Sequence, residues 1–391
     1  MPGTVSDVRM RTETVRTETT ETEATRTEIA PALRARLRES AEQTALSGAP
    51  DHEVLAELRA SGLLATAVPT EYGGAGADAR EVNRVVEEIA TVNPSVSIIA
   101  FQHFAVSARI AEWGTEEQKR ELLPRLADGT YLAASAWSET GAGAAKQKLA
   151  STGTRRPDGT WVLNGAKSFT TGASVADIYL VLVQTEEPEA DTARVYGSVG
   201  QTFFLVMGDN PGLVPDLSLD LVGMRGSATG FVSLVDCVVQ GADMLGPEGR
   251  APEIIAGVRE SGATLGAVAV GTARAAFDLV VDHVERRGLL EKPTVRHRLV
   301  GLATRLESAR AIVERAGART SPTPGLTTLH SKLHASTEAE EICLEVARML
   351  SSAGYVTGSR LNRLLADARA VALMGPTNDL ARELVAVSWQ N

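Results

Sequence analysis

The sequence has few of the features that mark several large classes of protein. Its 391 residues include two cysteines, Cys237 and Cys343, which lie far apart and lack metal-ligand spacing. This argues against a disulfide framework and a metal site. No apolar run reaches the length of a membrane span and no signal-peptide pattern is present, so the sequence predicts a soluble, cytoplasmic protein without a membrane partner. A net charge of −10 argues against a nucleic-acid partner, because such binding neutralises phosphates with Lys and Arg.

The hydrophobic pattern changes several times along the chain. Residues 1–29 are rich in Thr, Glu and Arg with almost nothing apolar, which predicts a disordered tail. Residues 30–133 repeat apolar side chains at helical spacing, residues 134–245 switch to short alternating segments, and residues 246–391 return to helical spacing. This order predicts an α+β protein with an N-terminal all-α domain, a central β-domain and a C-terminal four-helix bundle.

The stretch from Ala136 to Val183 is the most informative part of the chain. Its middle predicts a hairpin with turns at Asp158-Gly159 and Asn164-Gly165, followed by a buried strand over 177–183. Hydroxyl and aromatic residues cluster where strands meet turns: Ser138, Phe169, Thr170 and Thr171. A flat, electron-accepting ring needs such a mixture, because it requires a stacking face and donors at its polar edge. Taken alone, the same residues fit an ordinary edge of a small β-domain equally well.

Further motifs before and after this stretch occur in a recognisable order. They are Val68-Pro69-Thr70-Glu71-Tyr72-Gly73-Gly74, Ala136-Trp137-Ser138-Glu139-Thr140-Gly141, Gly223-Met224-Arg225-Gly226-Ser227 and Ala366-Asp367-Ala368-Arg369. In this order the chain resembles the acyl-CoA dehydrogenase superfamily of flavoproteins over roughly residues 50 to 385. The resemblance implies the helix–strand–helix fold, an FAD or FMN cofactor between the β-domain and the C-terminal helices, and a homodimer or homotetramer.

The resemblance also assigns residues to the two ends of the cofactor. At the ring end it implies Trp137, Ser138, Phe169, Thr170 and Thr171, with Phe169 in place of the usual Trp. At the dinucleotide end it implies Arg287, Gly354 and Thr377. Here the chain departs from the family, because Leu290-Glu291 replaces a Phe-Gly pair and Ser351-Ser352 replaces glycines of a Gly-Gly-x-Gly loop. Side chains at those positions block the close approach of backbone amides to phosphates.

A second departure concerns the catalytic base. The Glu that removes the α proton in most of the family falls on Gly375, which can neither accept nor hold a proton. Some members carry the base on the first C-terminal helix, where Ser261 aligns and Glu260 lies one residue before it. Glu260 is therefore a candidate base, with a solvated helix carboxylate as the alternative. His103 is a candidate that the family places towards the substrate cavity, with a satisfied core histidine as the alternative.

Three functions remain open from the sequence. The first is an altered dehydrogenase acting on a small molecule or an acyl thioester of CoA or a carrier protein. The second is a monooxygenase on the same fold, which needs no α-proton base and receives reduced flavin from a separate reductase. The third is a flavin-free assembly subunit.

Of the remaining segments, Glu186–Gly200 is polar and acidic and predicts a disordered excursion, while His330 and His334 lack a third metal ligand.

Overall fold

The computed structural model describes residues 28–187 and 196–389. The predicted tail therefore lies outside the described residues except at Glu28 and Ile29, and Ile29 is buried in the core. Within the described residues, helices come first, a β-sheet follows and helices return, which confirms the predicted α+β order.

The N-terminal helices are set by side chains that cap their first turns. The helices are α1 (Pro31–Ser47), α2 (His52–Ala60), α3 (Ala79–Ala90), α4 (Pro94–Trp113) and α5 (Glu116–Ala127). Asp51, Asp78, Asn93 and Thr115 each accept a hydrogen bond from a backbone N–H of the helix that follows, which satisfies a donor that the helix itself leaves open. Helix α4 is buried along most of its length and packs against both the sheet and the C-terminal helices.

The middle of the chain forms one mixed sheet. Its strands are β1 (Ala133–Ala136), β2 (Thr152–Arg155), β3 (Trp161–Thr170), β4 (Ile178–Gln184), β5 (Gln201–Met207), β6 (Leu213–Asp216), β7 (Gly230–Val239) and β8 (Met244–Leu245). The order is β6-β7-β3-β2-β4-β5-β8, and β1 pairs with β4 in parallel. Alternate residues of β4 face opposite sides: Ile178 and Leu180 pack towards α4 and α5, and Tyr179 and Val181 pack into a second apolar layer.

One of the two predicted turns is confirmed and the other is wrong. Strands β2 and β3 pair antiparallel through a turn at Asp158-Gly159, where Thr160 N donates to Asp158 Oδ1 at 3.0 Å. Asn164 and Gly165 instead lie inside β3, at a register shift opposite β7. A Cβ on Gly165 would come within 2.6 Å of Ser151 Cα, so the glycine permits a close approach between chain segments and not a turn.

The C-terminal helices complete the core. They are α6 (Ala251–Glu260), α7 (Gly266–Arg286), α8 (Pro293–Ala318), α9 (Pro324–Leu350), α10 (Arg360–Leu373) and α11 (Asn378–Val387). Helices α7 to α10 form the predicted bundle, and α7 shares its apolar cluster with α3 and α4. Among the helices described, none is both long and apolar enough to cross a membrane.

Candidate active site

Ser138 and Phe169 are neighbours at the ends of β1 and β3. The carbonyl oxygen of Ser138 accepts a hydrogen bond from Ser168 N at 2.8 Å. Phe169 follows at a register shift, with φ of 53°, a conformation that is rare for a bulky side chain. The Phe169 side chain is 64% exposed. The backbone therefore presents an aromatic face to solvent beside Ser138, which fits the stacking role that the resemblance assigns to it.

The other predicted ring-end residues divide into two groups. Thr171 lies next to Phe169, and its Oγ1 is 3.1 Å from Thr229 Oγ1 in a small cluster of hydroxyl groups. The side chain of Thr170 is buried. The Trp137 ring packs against Phe203, with 4.9 Å between ring centroids. Thr170 Oγ1 and Trp137 Nε1 are buried without a hydrogen-bond partner among the described residues. The assignment of Thr170 and Trp137 to the flavin ring stays a prediction, as does that of the ring-end group formed by Ser138, Phe169 and Thr171.

A buried ion pair, which the sequence did not predict, lies directly behind this group. Lys167 Nζ is 2.6 Å from Glu139 Oε1, and both side chains are almost fully buried. Glu139 also accepts hydrogen bonds from Ala150 N and Ser151 N, at 2.6 and 3.2 Å. Burial lowers the pKa of Lys167 to about 8, although the Glu139 charge opposes that shift. The pair fastens the loop after Ser138 to β3 and so holds Ser138 against Phe169.

The segment that contains Gly375 is held by a single buried lysine. Four oxygens lie within hydrogen-bond distance of Lys332 Nζ on α9, which has three N–H groups to share among them. They are the carbonyl oxygens of Ala372, Met374 and Pro376 at 3.3, 3.1 and 2.7 Å, and Asn378 Oδ1 at 2.9 Å. Burial lowers the pKa of Lys332 to about 7, while the four oxygen acceptors favour its charged form. Lys332 therefore fixes the path of the chain around residue 375.

Two side chains face the position where Gly375 lacks one. A Cβ on Gly375 would lie 3.7 Å from Lys146 Nζ and 3.7 Å from Tyr196 Oη, with no other described atom outside residues 374–376 within 4 Å. Lys146 Nζ and Tyr196 Oη are 3.3 Å apart. Tyr196 belongs to the segment interpreted as a disordered excursion. That prediction is wrong for residues 196–200, which pack on the sheet and α6, and residues 188–195 lie outside the described part.

Glu260 contacts the start of α9, which the sequence did not predict. Its Oε2 accepts a hydrogen bond from Gly325 N at 3.1 Å, in the first turn of α9. The N-cap residue Thr323 provides no side-chain cap there, so Glu260 satisfies an N–H that the helix leaves open and complements the positive end of its dipole. This contact favours the alternative of a helix carboxylate for Glu260, and its role as a base stays a prediction.

His103 is likewise a structural residue. It is fully buried on α4, with Nε2 3.2 Å from the carbonyl oxygen of Leu64 and Nδ1 3.4 Å from Ala133 N. These contacts fit a neutral imidazole that donates from Nε2 and accepts at Nδ1. Burial lowers the pKa of His103 to about 4. Both ring nitrogens are engaged and the side chain has no exposed surface, which favours the alternative of a satisfied core histidine over the predicted catalytic role.

The predicted dinucleotide-end residues lie on the bundle. Arg287 is exposed just after α7, and Gly354 is buried in the short turn after α9. Ser351, which the resemblance aligns with a glycine, has φ of 54°, a conformation typical of glycine. Thr377 caps α11 by accepting from Leu380 N at 3.3 Å. No contact between these residues and the ring-end group is recorded in the described part.

A surface groove lies away from all of these residues. It has a volume of about 510 Å³ and is lined by Ser308, Ile312, His330, Leu333, His334, Thr337 and Arg382. Ser308 Oγ is 3.0 Å from His334 Nε2. Over residues 28–187 and 196–389, no group of three His, Cys, Asp or Glu side chains is arranged to hold a metal. The cavity is a surface groove between α8, α9 and α11, unconnected to Phe169 or Gly375.

Three family models match the chain in the order of its helices, strands and helices. The acyl-CoA dehydrogenase N-terminal domain matches residues 19–130, the middle domain matches residues 134–237 and the C-terminal domain matches residues 254–389. The chain belongs to the acyl-CoA dehydrogenase family. The family and fold predicted from the motifs are thereby confirmed, and so is the class of flavin-dependent oxidoreductase.

Individual members with similar chains are described in different ways. Cyclohexane-1-carbonyl-CoA dehydrogenase of Geobacter metallireducens is 31% identical over 99% of this chain and 98% of its own. L-prolyl-(peptidyl-carrier protein) dehydrogenase of Pseudomonas fluorescens is 29% identical over 83% of this chain and 87% of its own. FMN-bound TdsC from Paenibacillus sp. A11-2 has the same fold, with a TM-score of 0.79 and 22% identity over 90% of this chain and 94% of its own.

Proposed function

We propose that this chain is a flavin-dependent oxidoreductase that oxidises an acyl group held as a thioester, on CoA or on a carrier protein, without the carboxylate base of most of its family. The observation that supports the altered mechanism is at Gly375, whose missing side chain would face Lys146 and Tyr196. The relatives described as acting on a CoA thioester and on a carrier-bound prolyl group support the substrate class.

Ser138, Phe169 and Thr171 would hold the ring of the flavin. The exposed Phe169 side chain supplies a stacking face, and the hydroxyl groups of Ser138 and Thr171 supply donors for the polar edge. When bound, the flavin supplies the redox chemistry by accepting or delivering electrons. The chain's own contribution is to fix this group through the Glu139–Lys167 pair and to fix the segment around Gly375 through Lys332.

The second candidate function is a monooxygenase that takes reduced flavin from a separate reductase. The lack of a carboxylate at residue 375 favours it, because oxygenation needs no α-proton base. The replacement of the adenine and diphosphate contacts near Leu290 and Ser351 also favours it, since a mononucleotide makes no use of them. The FMN-bound TdsC fold is consistent with this alternative. A flavin-free assembly subunit is the remaining candidate, and a colourless protein that binds neither FAD nor FMN would support it.

One anaerobic experiment separates these functions. The protein is reconstituted with FAD or FMN, and acyl-CoA and carrier-bound acyl substrates are added without a reductase or oxygen. Bleaching of the flavin absorbance supports the dehydrogenase. A flavin that stays oxidised, together with oxygenated product once a reductase and oxygen are supplied, supports the monooxygenase and overturns the first proposal. The homodimer or homotetramer expected from the resemblance stays a prediction, which light scattering of the reconstituted protein tests.

A further inference from the structure

We infer that Lys146 and Tyr196 form a binding site for a carboxylate of the substrate, at the place that Gly375 leaves open. This inference rests on the proposed function, because it takes residue 375 as the position that faces the reacting acyl group. It reverses the usual distribution of charge: the protein supplies the cation at this position and the substrate supplies the carboxylate.

The first support is the geometry around residue 375. Lys146 Nζ and Tyr196 Oη both lie 3.7 Å from the point where a Cβ of residue 375 would be, and no other described atom outside residues 374–376 is within 4 Å of it. The two polar groups thus converge on one open point. Lys332 fixes the segment that carries this point, since it bonds the carbonyl oxygens of both Met374 and Pro376.

The second support is the way in which Lys146 is held inward. Its neighbours Gln147 and Lys148 are exposed, whereas Lys146 is 4% exposed and has φ of 50°. The main chain is fixed on both sides: Gly197 N donates to Ala145 O at 2.8 Å, and Gln201 Nε2 donates to Lys146 O at 2.7 Å. An inward lysine in an otherwise exposed loop indicates a specific position and not a solvated charge.

The third support is the donors that these two side chains leave open. Lys146 Nζ reaches Ala144 O at 3.4 Å and Tyr196 Oη at 3.3 Å, which uses two of the three N–H groups of an ammonium. Because Tyr196 Oη accepts from Lys146, its own O–H is a further donor, and no acceptor for it lies among the described residues. Within residues 28–187 and 196–389, no carboxylate lies within 4 Å of Lys146 Nζ. A buried cation without a counter-ion is costly, and an anionic ligand removes that cost.

Arg259 adds positive charge on the same side. Its Nε is buried without a hydrogen-bond partner among the described residues. Burial lowers the pKa of Arg259, and the nearby Glu260 and Tyr196 oppose that shift. Glu260 is committed to Gly325 N at the start of α9. Among the described residues, Lys146 and Arg259 therefore both place positive charge near Tyr196.

A carboxylate fits this set better than a neutral carbonyl. An ammonium and a hydroxyl that converge on one point can donate to the two oxygens of a carboxylate, and hydrogen bonds between ions are about twice as strong as neutral ones. The same anionic oxygen chemistry could come from the phosphate of the flavin. The two sources differ in the molecule that carries the charge, so they can be separated by titration.

The test uses matched ligands on the full chain. Calorimetric titration of the flavin-loaded protein compares N-acetylcysteamine half-thioesters of dicarboxylic acids, from succinyl to adipyl, with acyl thioesters of the same length that end in a methyl group. A second titration of flavin-free protein compares FMN with riboflavin, which lacks the phosphate. The variants are Lys146→Met and Tyr196→Phe. Lys148→Met is the matched control, because Lys148 lies in the same loop and is exposed.

We expect at least one carboxylate-ended thioester to bind wild-type protein about 10-fold or more tightly than its methyl-ended match, as one charge-assisted hydrogen bond provides. Lys146→Met and Tyr196→Phe should each reduce that preference, and Lys148→Met should keep it. Equal or undetectable binding of both thioester series by the wild type overturns the inference. The inference is also overturned if the Lys146→Met variant loses the preference for FMN over riboflavin, since Lys146 would then bind the flavin phosphate. If the protein binds no flavin, the proposed function fails, while the same thioester series on the flavin-free protein still tests this site.

Discussion

Lys332 Nζ lies 2.7 Å from the carbonyl oxygen of Pro376, and three further oxygens of the same segment surround it. One side chain of α9 therefore determines where the backbone of residue 375 runs. This contact joins the bundle, which the helical pattern predicts, to the segment that contains Gly375.

Replacing Lys332 by Met should destabilise the fold and disturb this segment. The change leaves several buried oxygen acceptors without a donor. Each acceptor that water cannot reach lowers the free energy of unfolding by about 1–3 kcal/mol. We expect the free energy of unfolding in urea to fall by at least about 2 kcal/mol. Lys119→Met is the control, because Lys119 only makes a surface pair with Glu116 and such pairs contribute at most about 1 kcal/mol. Equal effects of the two changes would contradict the role given to Lys332.

The Glu139–Lys167 pair should show strong coupling in a double-mutant cycle. Glu139→Gln or Lys167→Met alone leaves one buried charge without its partner, which should lower the free energy of unfolding by about 3–5 kcal/mol. The double variant should lose less than the sum of the two single changes, because no uncompensated charge remains. Denaturant unfolding of all four proteins measures this coupling. Additive losses would mean that the two residues stabilise the protein independently of each other.

The sequence predicts the local parts of the site and fails at the parts that depend on distant contacts. That Ser138, Phe169 and Thr171 lie close together could be predicted because strand and turn signals surround them, while their contact with a flavin stays a prediction. The pair of Lys146 and Tyr196 could not be predicted, since the two residues are 50 positions apart and Tyr196 lies in a polar segment with no regular pattern. The contact of Glu260 with Gly325 was missed for a related reason: the two residues are 65 positions apart, and sequence spacing says nothing about it.

His103 should contribute a pH-dependent loss of stability on acidification. Burial lowers its folded pKa to about 4 from 6.5, so the unfolded chain binds more protons between these values. The free energy of unfolding therefore falls as the pH drops through this window, and His103 accounts for about 3 kcal/mol of that fall. The stabilising contribution of the neutral His103 is fully present above pH 6.5. His103→Gln should flatten this limb of the stability profile. An unchanged pH profile in the variant would show that other groups produce the loss.

Phe169→Ala should weaken flavin binding without weakening the fold. Because the side chain is largely exposed, its removal leaves no cavity in the core, and the melting temperature should change little. Loss of a stacking face should reduce FAD and FMN affinity by about 1–3 kcal/mol, measured by quenching of flavin fluorescence. Val235→Ala is the matched control, since Val235 is another exposed apolar residue of the sheet, at 59% exposure. Unchanged flavin affinity in Phe169→Ala would place the ring elsewhere.

The effect of restoring a carboxylate at residue 375 should depend on Lys146. In Gly375→Glu the new side chain starts 3.7 Å from Lys146 Nζ and Tyr196 Oη, so its carboxylate can pair with the ammonium and become a poorer base. Gly375→Glu alone should therefore raise the rate of anaerobic flavin bleaching by simple acyl thioesters only weakly. The double variant Gly375→Glu with Lys146→Met releases the carboxylate, and its rate should rise towards the roughly 10²–10⁴-fold that a general base provides.

Gly375→Glu with Lys148→Met is the control and should behave as Gly375→Glu does. If Gly375→Glu alone reaches the full rate and Lys146→Met adds nothing, Lys146 does not control this position. If wild-type protein already bleaches its flavin rapidly with simple acyl thioesters, then a base other than a side chain at residue 375 is present.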